Sequence, residues 1–327
     1  MQLFALEGGR AFGEAVAAAL GVPLAAHEER AFEDGEHKER PLEGVRGRDV
    51  YVVQGLHGGP GRSPDDRLCR LLFFLGAVRD AGAARLTAVL PYLAYARKDR
   101  RTKPRDPLTT RYVAQLLEAV GTDAVVTLDV HNLAAFQNAF RCRAEHLDSR
   151  LLFARRLLRG VVGAGGPVVV ASPDPGGVKR AQLFRETFEA VLGRAVGAAF
   201  MEKRRSAGVV SGELLVGEVA GATVVVVDDL IGTGGTMRRA AEACLARGAA
   251  RVFAVAAHGL FTGHAAEAVA APALARTFVT DTVPPFRLPP DLLGARVEVV
   301  SAAPLFAEAI RRLHAGGSIS DLLERGG

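Results

Sequence analysis

Short apolar runs alternate with amphipathic segments along most of this chain. The runs are rich in valine and bounded by polar residues, which is typical of strands buried in a parallel sheet. The segments between them repeat apolar residues at helical spacing, and glycine follows several of them as a stop signal. This alternation predicts an α/β fold with parallel sheets and right-handed crossovers.

The pattern divides the chain into two α/β halves of similar size. The predicted strands are Val50–Val53, Leu86–Leu90, Ala124–Leu128, Val168–Ala171, Thr223–Val227, Val252–Ala256 and Val297–Val300. The predicted helices are Asp66–Ala81, Leu108–Ala119, Arg150–Leu158, Gln182–Leu192, Gly235–Arg247 and Ala303–His314. The glycine-rich segment Gly160–Pro167 predicts a flexible stretch near the middle. We place the division slightly earlier, around Leu147.

The segment Thr223–Thr236, TVVVVDDLIGTGGT, connects an apolar run to a glycine-rich turn. Asp228 and Asp229 follow the apolar part, so we expect them at the carboxyl end of the strand, where open α/β sheets bind ligands. Two carboxylates can accept hydrogen bonds from vicinal sugar hydroxyls or carry a divalent cation. The glycines let successive N–H groups curl around a phosphate, and the following helix adds its positive end. An ordinary strand-to-helix turn is the alternative, but the paired acids favour a phosphorylated sugar.

The composition is that of a folded protein with a large core, since 49% of the 327 residues are hydrophobic and 24% are charged. No apolar run approaches the roughly 20 residues that cross a bilayer, and the N-terminus lacks the basic opening of a secretory signal. The three cysteines are scattered, which favours buried thiols in a reducing compartment over disulfides or a zinc site. We therefore expect a cytoplasmic protein without membrane contact. Its net charge of +5 favours anionic partners.

A basic segment follows one of the predicted strands. Six cations lie within Arg97–Arg105, in the longer segment Pro91–Arg105. A solvated loop and a nucleic-acid patch are alternatives, but single-strand binding usually interleaves aromatic with basic residues, and the run contains no aromatic residue. A polyphosphate suits the context better, and we expect Arg97–Arg101 to neutralise charge on a nucleotide triphosphate.

Two further strand ends carry potential metal ligands. His131 closes the sequence LDVH, and Asp174 lies within ASPDPGGVKR. Alone, His131 would be a hydrogen-bonded structural histidine and Asp174 a turn residue. Together with a triphosphate site, both become candidates for Mg²⁺, which typically keeps several waters and uses few protein groups. Imidazole is an unusual direct ligand for so hard a cation, so a contact through water is an alternative.

Another cationic segment, Phe200–Ser206, reads FMEKRRS and precedes a glycine-rich stretch. A cationic tip on a mobile loop suits phosphoryl-type transfer, whose catalysis is mostly positioning and charge stabilisation. A solvated hairpin end is the alternative.

An acidic segment lies near the N-terminus. Phe32–Glu36 reads FEDGE and predicts a turn with three acids and one aromatic residue. By itself this turn indicates no particular ligand.

In their order and spacing these motifs resemble ribose-phosphate pyrophosphokinase, also called phosphoribosyl pyrophosphate synthetase. The resemblance covers nearly the whole chain, with further agreement at Gly248–Gly263, Thr280–Pro284 and Ala307–Ser320. It implies an α/β protein with two type I phosphoribosyltransferase-like domains, each a mainly parallel sheet flanked by helices. Residues 1–147 would form the ATP side with oligomer contacts and residues 148–302 the ribose 5-phosphate side. Residues 303–327 would carry a helix that returns to the first domain.

The resemblance also implies a role for each candidate residue. Three residues from a neighbouring subunit and three from the basic segment would bind ATP: Phe32, Asp34, Glu36, Arg97, Lys98 and Asp99. Lys203 and Arg205 would be catalytic cations, and His131 and Asp174 would be linked to magnesium. The carboxylate pair and the turn after it would bind ribose 5-phosphate: Asp228, Asp229, Gly232, Thr233, Gly234, Gly235 and Thr236.

The implied activity is that of a ribose-phosphate diphosphokinase with Mg²⁺ as cofactor. The β,γ-diphosphoryl group of ATP would pass to the anomeric hydroxyl of ribose 5-phosphate, giving phosphoribosyl pyrophosphate and AMP. Because subunits would share the ATP site, a homodimer would be the smallest competent unit, and the family often assembles as hexamers. Neither a nucleic acid nor a membrane is an expected partner.

The chain departs from the family pattern at a few positions. Gly232 stands where another Asp is usual, Lys98 stands where Gln is common, and Ala134 and Phe136 replace glutamines after His131. We expect sugar affinity or catalytic efficiency to differ while phosphate binding survives. The changes after His131 bear on phosphate activation and nucleotide inhibition, because those sites would sit at subunit contacts.

Three other functions compete with synthesis. A non-catalytic relative could regulate a synthetase by co-assembly, but loss of Lys203, Arg205 or Asp174 would be expected, and all three are present. A phosphoribosyltransferase that consumes the product shares the sugar loop but needs neither FEDGE nor the basic sequence YARKDRR at Tyr95–Arg101. A nucleic-acid-binding regulator would need a helix-turn-helix or winged appendage, which we do not identify.

Overall fold

The computed structural model describes residues 1–162, 165–206 and 209–325, without the side chains of 203–206, 209–213, 324 and 325. The chain forms two compact units, one of Met1–Asp148 with Ala302–Gly327 and one of Ser149–Ser301. The predicted flexible stretch Gly160–Pro167 includes residues 163 and 164, which lie outside the described residues.

Strands and helices alternate in the order that the sequence pattern predicts. The strands are β1 (Gln2–Ala5), β2 (His27–Ala31), β3 (His37–Pro41), β4 (Asp49–Val53), β5 (Arg85–Leu90), β6 (Ala124–Leu128), β7 (Arg143–Leu147), β8 (Val168–Ser172), β9 (Gly197–Ser206), β10 (Val209–Val216), β11 (Thr223–Ile231), β12 (Arg251–Gly259), β13 (Arg276–Thr280) and β14 (Val297–Val300). The helices are α1 (Arg10–Leu20), α2 (Pro64–Asp80), α3 (Thr109–Ala119), α4 (Leu133–Ala139), α5 (Arg150–Gly160), α6 (Val178–Leu192), α7 (Gly235–Ala246), α8 (Ala265–Ala270), α9 (Ala303–Ala315) and α10 (Ile319–Arg325).

The first unit is built on a parallel sheet with strand order β1–β4–β5–β6–β7. Its central strands are fully buried, as expected for strands covered on both faces. β2 and β3 form a separate antiparallel hairpin. Helix α9 belongs to this unit and packs on α1, where the rings of Phe12 and Phe306 meet edge to face at 5.1 Å.

The second unit has a sheet in the order β10–β9–β8–β11–β12–β13–β14, parallel except for the antiparallel β9–β10 pair. Alternate residues of its central strand β11 pack into different cores. Val224 and Val226 lie in the core that includes Met237 of α7, whereas Val225 and Val227 lie in the core that includes Phe184 of α6. Burial on both faces explains the continuous apolar run that the sequence shows.

Every predicted strand and helix is present, with changes at the ends. Helix α6 begins at Val178 instead of Gln182, because a short 3-10 turn, Pro175–Gly177, leads directly into it. Strand β11 continues to Ile231 instead of ending at Val227, because it keeps pairing with β12 as far as Gly259. Several short elements lie outside the predicted sets, among them β1, β13 and α8.

Candidate active site

Asp228 and Asp229 lie in the carboxyl-terminal half of β11, because this strand continues to Ile231, beyond the predicted end at Val227. On the side of β8, however, pairing stops at Val226, so both carboxylates lie beyond the end of that neighbour. Nη1 of Arg180, in the first turn of α6, is 2.8 Å from Oδ1 of Asp228 and 3.4 Å from Oδ1 of Asp229. The backbone N–H of Asp229 also donates to Oδ1 of Asp228, at 2.9 Å. The structure thus places a compact pair of carboxylates and one guanidinium at this edge.

The two carboxylates perturb each other. Burial and the neighbouring Asp229 raise the pKa of Asp228 to about 8, against the opposing attraction of Arg180. A low-dielectric surrounding disfavours two negative charges side by side, so the unliganded pair holds a proton more tightly than an exposed aspartate does. A ligand that supplies hydroxyl donors or a cation would relieve this repulsion.

The turn after β11 leads into α7 as a phosphate-binding turn would. Gly234 adopts a left-handed conformation with φ of 75°, directly before the first residue of α7, Gly235. A Cβ atom on Gly234 would lie 2.6 Å from Cβ of Ala268, so only glycine fits there. The turn thereby brings backbone N–H groups together at the positive end of α7, where anions bind readily.

Gly232 has different surroundings from Gly234. The atom nearest to a Cβ added at Gly232 would be Oγ1 of Thr262, at 3.9 Å, which is an ordinary contact distance. Its φ also lies outside the positive region. The backbone N–H of Thr262 donates to the carbonyl of Gly232 at 2.9 Å and holds the turn against the segment that follows β12. A side chain is therefore sterically allowed at Gly232.

Asp174 follows β8 and caps the short turn that precedes α6. Its Oδ1 accepts a hydrogen bond from the backbone N–H of Gly177 at 3.0 Å, and the hydroxyl of Ser172 donates to its carbonyl at 2.7 Å. These bonds are those of a turn residue, the role that the sequence indicates for Asp174 considered alone, and its role as a magnesium ligand stays a prediction. The carboxylate is only partly buried, so a ligand can still reach it.

Lys203 and Arg205 lie on β9, which pairs antiparallel with β10. Their backbone therefore follows the hairpin alternative instead of the loop that the sequence predicts. The side chains of both residues lie outside the described part of the chain.

The FEDGE segment forms the turn that the sequence predicts, at the tip of the β2–β3 hairpin. The backbone N–H of Phe32 donates to the carbonyl of Glu36 at 2.8 Å, and Oδ1 of Asp34 accepts from the N–H of Glu36 at 3.0 Å. The side chain of Phe32 is 41% exposed. The guanidinium carbon of Arg30 lies over its ring, 5.1 Å from the ring centre of Phe32. The turn thus presents an aromatic ring and carboxylates to solvent.

A buried ion pair anchors this hairpin on α2. Nη1 of Arg70 donates to Oε1 of Glu39 on β3 at 2.7 Å, and these side chains are 4% and 0% exposed. The other carboxylate oxygen of Glu39 lies 2.8 Å from Nδ1 of His37. The orientation of the exposed turn therefore depends on a contact between residues that are distant in the sequence.

The basic segment folds around Asp106. This carboxylate lies 2.8 Å from Nζ of Lys98 and accepts hydrogen bonds from the backbone N–H groups of Thr102 and Lys103, both at 3.0 Å. These interactions hold the pKa of Asp106 well below its usual range, the bond from Lys98 being the largest cause. Arg97 remains exposed at the edge of the unit. Of the predicted ATP-binding cations, Lys98 thus has a carboxylate partner within its own segment.

His131 lies in the exposed connection between β6 and α4. The next residue, Asn132, donates from its amide to Oδ2 of Asp99 at 2.7 Å and caps α4 through its carbonyl oxygen. The structure therefore brings the basic segment and the His131 connection together within the first unit.

Asp174 belongs to the second unit, so its pairing with His131 stays a prediction. Across residues 1–162, 165–206 and 209–325, no three His, Cys, Asp or Glu side chains form a metal-binding cluster.

Phe136, one of the departures after His131, is a core residue. It is 1% exposed and packs edge to face on Phe140 at 5.1 Å. Its aromatic side chain fills the interior of the first unit, where a glutamine would need hydrogen-bond partners.

The sequence-based assignment of roles missed Arg180 and Asn132. Arg180 was only one cation among many in the sequence, and the helix was expected to begin after it. An arginine a few residues after a strand end and its glycines is a usable signal, because the next helix starts there and its first turn lies at the same edge of the sheet. Asn132 gave an N-cap signal, since Asn is favoured at that position.

Two family models match this chain. One, described as the N-terminal domain of ribose phosphate pyrophosphokinase, matches residues 1–121. The other, described as a phosphoribosyl synthetase-associated domain, matches residues 210–324. Ribose-phosphate pyrophosphokinase from Caldanaerobacter subterraneus subsp. tengcongensis is 40% identical over 308 residues, covering 94% of this chain and 92% of that protein. This chain belongs to the ribose-phosphate pyrophosphokinase family.

Further members of the ribose-phosphate pyrophosphokinase family are similar over the whole chain. Ribose-phosphate pyrophosphokinase 1 from Streptococcus pyogenes is 35% identical, and the match covers 100% of this chain and 98% of that protein. The crystal structure of phosphoribosylpyrophosphate synthetase from Mycobacterium smegmatis superposes with a TM-score of 0.86 at 32% identity, covering 97% of this chain and 99% of the other. The predictions of the family, of the α/β fold class and of an enzyme are confirmed. Within the described residues, no helix is long and apolar enough to span a bilayer.

Proposed function

We propose that this chain transfers the β,γ-diphosphoryl group of ATP to ribose 5-phosphate, producing phosphoribosyl pyrophosphate and AMP. One arrangement carries the proposal: the carboxylates of Asp228 and Asp229 lie directly before a turn that only glycine can make at Gly234, at the N-terminus of α7. It offers acceptors for sugar hydroxyls next to donors for a phosphate.

The sugar side lies in the second unit. Asp228 and Asp229 accept hydrogen bonds from the ribose hydroxyls. The 5-phosphate binds in the turn, where five residues supply the N–H groups and hydroxyls around it: Gly232, Thr233, Gly234, Gly235 and Thr236. The partial positive charge at the start of α7 supports this contact.

The nucleotide side lies in the first unit. Arg97, Lys98 and Asp99 contact ATP from the basic segment, and the exposed FEDGE turn supplies the ring of Phe32 with the carboxylates of Asp34 and Glu36. An exposed aromatic ring suits stacking on a nucleobase, because both faces are flat and apolar. Since the FEDGE turn would come from a neighbouring subunit, the smallest active form is a homodimer, and a hexamer is the expected larger assembly.

The transfer forms a bond between the anomeric oxygen and the β-phosphorus. The bond from that phosphorus to the oxygen bridging to the α-phosphorus breaks, and this oxygen leaves with AMP. The anomeric hydroxyl releases its proton to water during the step. Negative charge develops on both the migrating group and AMP, and Lys203 with Arg205 stabilises it as preorganised cations. The presence of both residues favours an active enzyme over a non-catalytic relative.

We also propose Mg²⁺ as the cofactor. The partly exposed carboxylate of Asp174 is a hard oxygen ligand of the kind that Mg²⁺ prefers, and His131 would contact the ion through water. When bound with the nucleotide, the ion neutralises charge on the phosphoryl oxygens. The cytoplasm, where ATP is abundant and scattered cysteines stay reduced, is the expected location.

The decisive experiment incubates the purified chain with ATP, MgCl₂ and ribose 5-phosphate and follows AMP and phosphoribosyl pyrophosphate together. Equal amounts of both products, formed only in the presence of the sugar, support the proposal. AMP formation that does not depend on the sugar, or the absence of both products, overturns it.

The variant Lys203→Ala tests the assigned catalytic cation in the same assay. We expect kcat to fall by about 10² to 10³, the loss typical of one preorganised transition-state donor, and KM for ribose 5-phosphate to change far less. An unchanged kcat would remove Lys203 from the mechanism. Lys179→Ala, which removes another lysine of the same unit, is the matched control and should retain near wild-type kcat.

A further inference from the structure

Arg180 occupies a position between the two sugar-side carboxylates. The same nitrogen, Nη1, lies 2.8 Å from Asp228 and 3.4 Å from Asp229. Adjacent side chains on a strand normally point to opposite faces of the sheet, so local geometry alone does not direct two neighbouring carboxylates to one partner. The guanidinium therefore links groups that the strand by itself would separate.

The position of Arg180 is set by well-packed elements. Asp174 caps the turn Pro175–Gly177, and α6 starts directly after this turn. The neighbouring Ala181 is 5% exposed and Phe184 is 1% exposed, in the core that also contains residues of β11. The backbone that carries Arg180 is thus fixed against the strand that carries the carboxylates.

We propose that Arg180 is a positioning residue for the ribose ring: it holds the carboxylates of Asp228 and Asp229 in the orientation in which they accept hydrogen bonds from the sugar hydroxyls. This inference rests on the proposed function. The guanidinium lies within reach of both carboxyl groups and offsets the repulsion that two adjacent acids exert on each other. Because a carboxylate accepts hydrogen bonds at both oxygens, one oxygen can bind Arg180 while the other meets a hydroxyl.

The test compares steady-state kinetics of Arg180→Met and Arg180→Lys with the wild type. Removal of the cation in Arg180→Met should raise KM for ribose 5-phosphate about 10- to 100-fold, as for loss of a group that orients binding residues, with KM for ATP nearly unchanged. Lysine can place an ammonium where Nη1 now lies, so Arg180→Lys should recover most of the affinity. Arg185→Met is the matched control, because Arg185 lies on the same helix but pairs with Glu189.

A double-mutant cycle identifies the route of the effect. If Arg180 acts through the carboxylates, Arg180→Met should raise KM for the sugar less in an Asp228→Asn background than in the wild type. Equal effects in both backgrounds, or a KM within about twofold of the wild type for Arg180→Met, would overturn the inference. Thermal unfolding of each variant checks folding, and if Arg180→Met does not fold, the same cycle is run with Arg180→Gln, which also removes the cation but keeps a polar side chain. If the wild type forms no phosphoribosyl pyrophosphate, the proposed function is overturned, and this inference with it. If the wild type is active and Arg180→Met has the same KM for ribose 5-phosphate, only the inference is overturned.

Discussion

The two regions that we propose as the sugar side and the nucleotide side are built in opposite ways. The sugar side consists of consecutive residues on a central strand and in the turn after it, and Asp229 is only 4% exposed. The FEDGE turn of the nucleotide side lies on a two-stranded hairpin outside the main sheet, with Phe32 41% exposed. A contiguous segment of the sequence shapes the first region, whereas a buried ion pair from another element holds the second.

The difference predicts where each region is vulnerable. The sugar side tolerates little change in its backbone, because the turn between strand and helix admits no side chain at Gly234. The turn at the hairpin tip accepts local change more easily, but it depends on the distant anchor between Glu39 and Arg70. Four substitutions test this contrast.

The largest effect should come from Arg70→Met, which leaves the buried carboxylate of Glu39 without its cation. Breaking a buried pair by removing one partner typically costs about 3 to 5 kcal/mol of stability. We expect urea unfolding to show this decrease in the free energy of unfolding. Under conditions in which the variant is still folded, we expect its KM for ATP to be higher than that of the wild type. Arg40→Met is the control, because the Arg40–Glu28 pair lies on the same hairpin but is exposed to solvent, where an ion pair is screened and adds little stability. Equal losses from the two variants would remove the anchor from the comparison.

Gly234→Ala should damage the sugar side specifically. The new Cβ would meet Ala268 at 2.6 Å in a left-handed conformation that alanine adopts poorly. We expect KM for ribose 5-phosphate to rise at least about tenfold, which corresponds to about 1.4 kcal/mol. Gly232→Ala has room for its methyl group and should stay near the wild type. Similar KM values for the two variants would contradict the assigned geometry of the turn.

Asp228→Asn should change how the stability of the unliganded protein depends on pH. The folded-state pKa of Asp228 is raised from its ordinary value near 4 to about 8, so between these pH values the folded state holds more protons than the unfolded state. Wild-type stability therefore falls across this window, and Asn removes that contribution. Urea unfolding at pH 5 and pH 8 gives the free energy of unfolding of Asp228→Asn minus that of the wild type. We expect this difference to be at least about 1 kcal/mol larger at pH 8 than at pH 5. Asp291→Asn, at an exposed position of the same unit, is the control. If the stability of Asp228→Asn and that of the wild type depended on pH in the same way, the prediction would be contradicted.

The smallest effect, and a gain, should come from Gly232→Asp. The family usually has Asp at this position, and the nearest atom to the new Cβ would be 3.9 Å away. One added hydrogen bond contributes about 1 kcal/mol, so kcat/KM for ribose 5-phosphate should rise about fivefold. Gly232→Asn separates the effect of charge from that of hydrogen bonding. No gain from either variant would mean that the turn has adopted another contact with the sugar.

Much of the fold was predictable because its strands are buried on both faces. Val224–Val227 could be assigned from composition alone, and the glycine-rich turn predicted the start of α7. The end of β11 was not predictable, because the polar residues Asp228 and Asp229 continue the strand only by pairing with β12. The sequence did not predict the β2–β3 hairpin, because its strands are mostly charged and lack the alternation of apolar and polar residues. Contact with α2 stabilises this hairpin.

The candidate residues divide in the same way. The sequence by itself determined the family, the α/β class, the adjacent carboxylates and the glycine turn that we predict to bind phosphate, because each depends on neighbouring residues and on their local backbone preferences. Only the tertiary structure placed Arg180 between the carboxylates, Asn132 beside Asp99 and Arg70 beneath the hairpin. Those contacts join residues that are 31 to 49 positions apart in the sequence. The packing of whole helices against strands decides which of the many arginines meets which carboxylate, and no local sequence pattern encodes that packing.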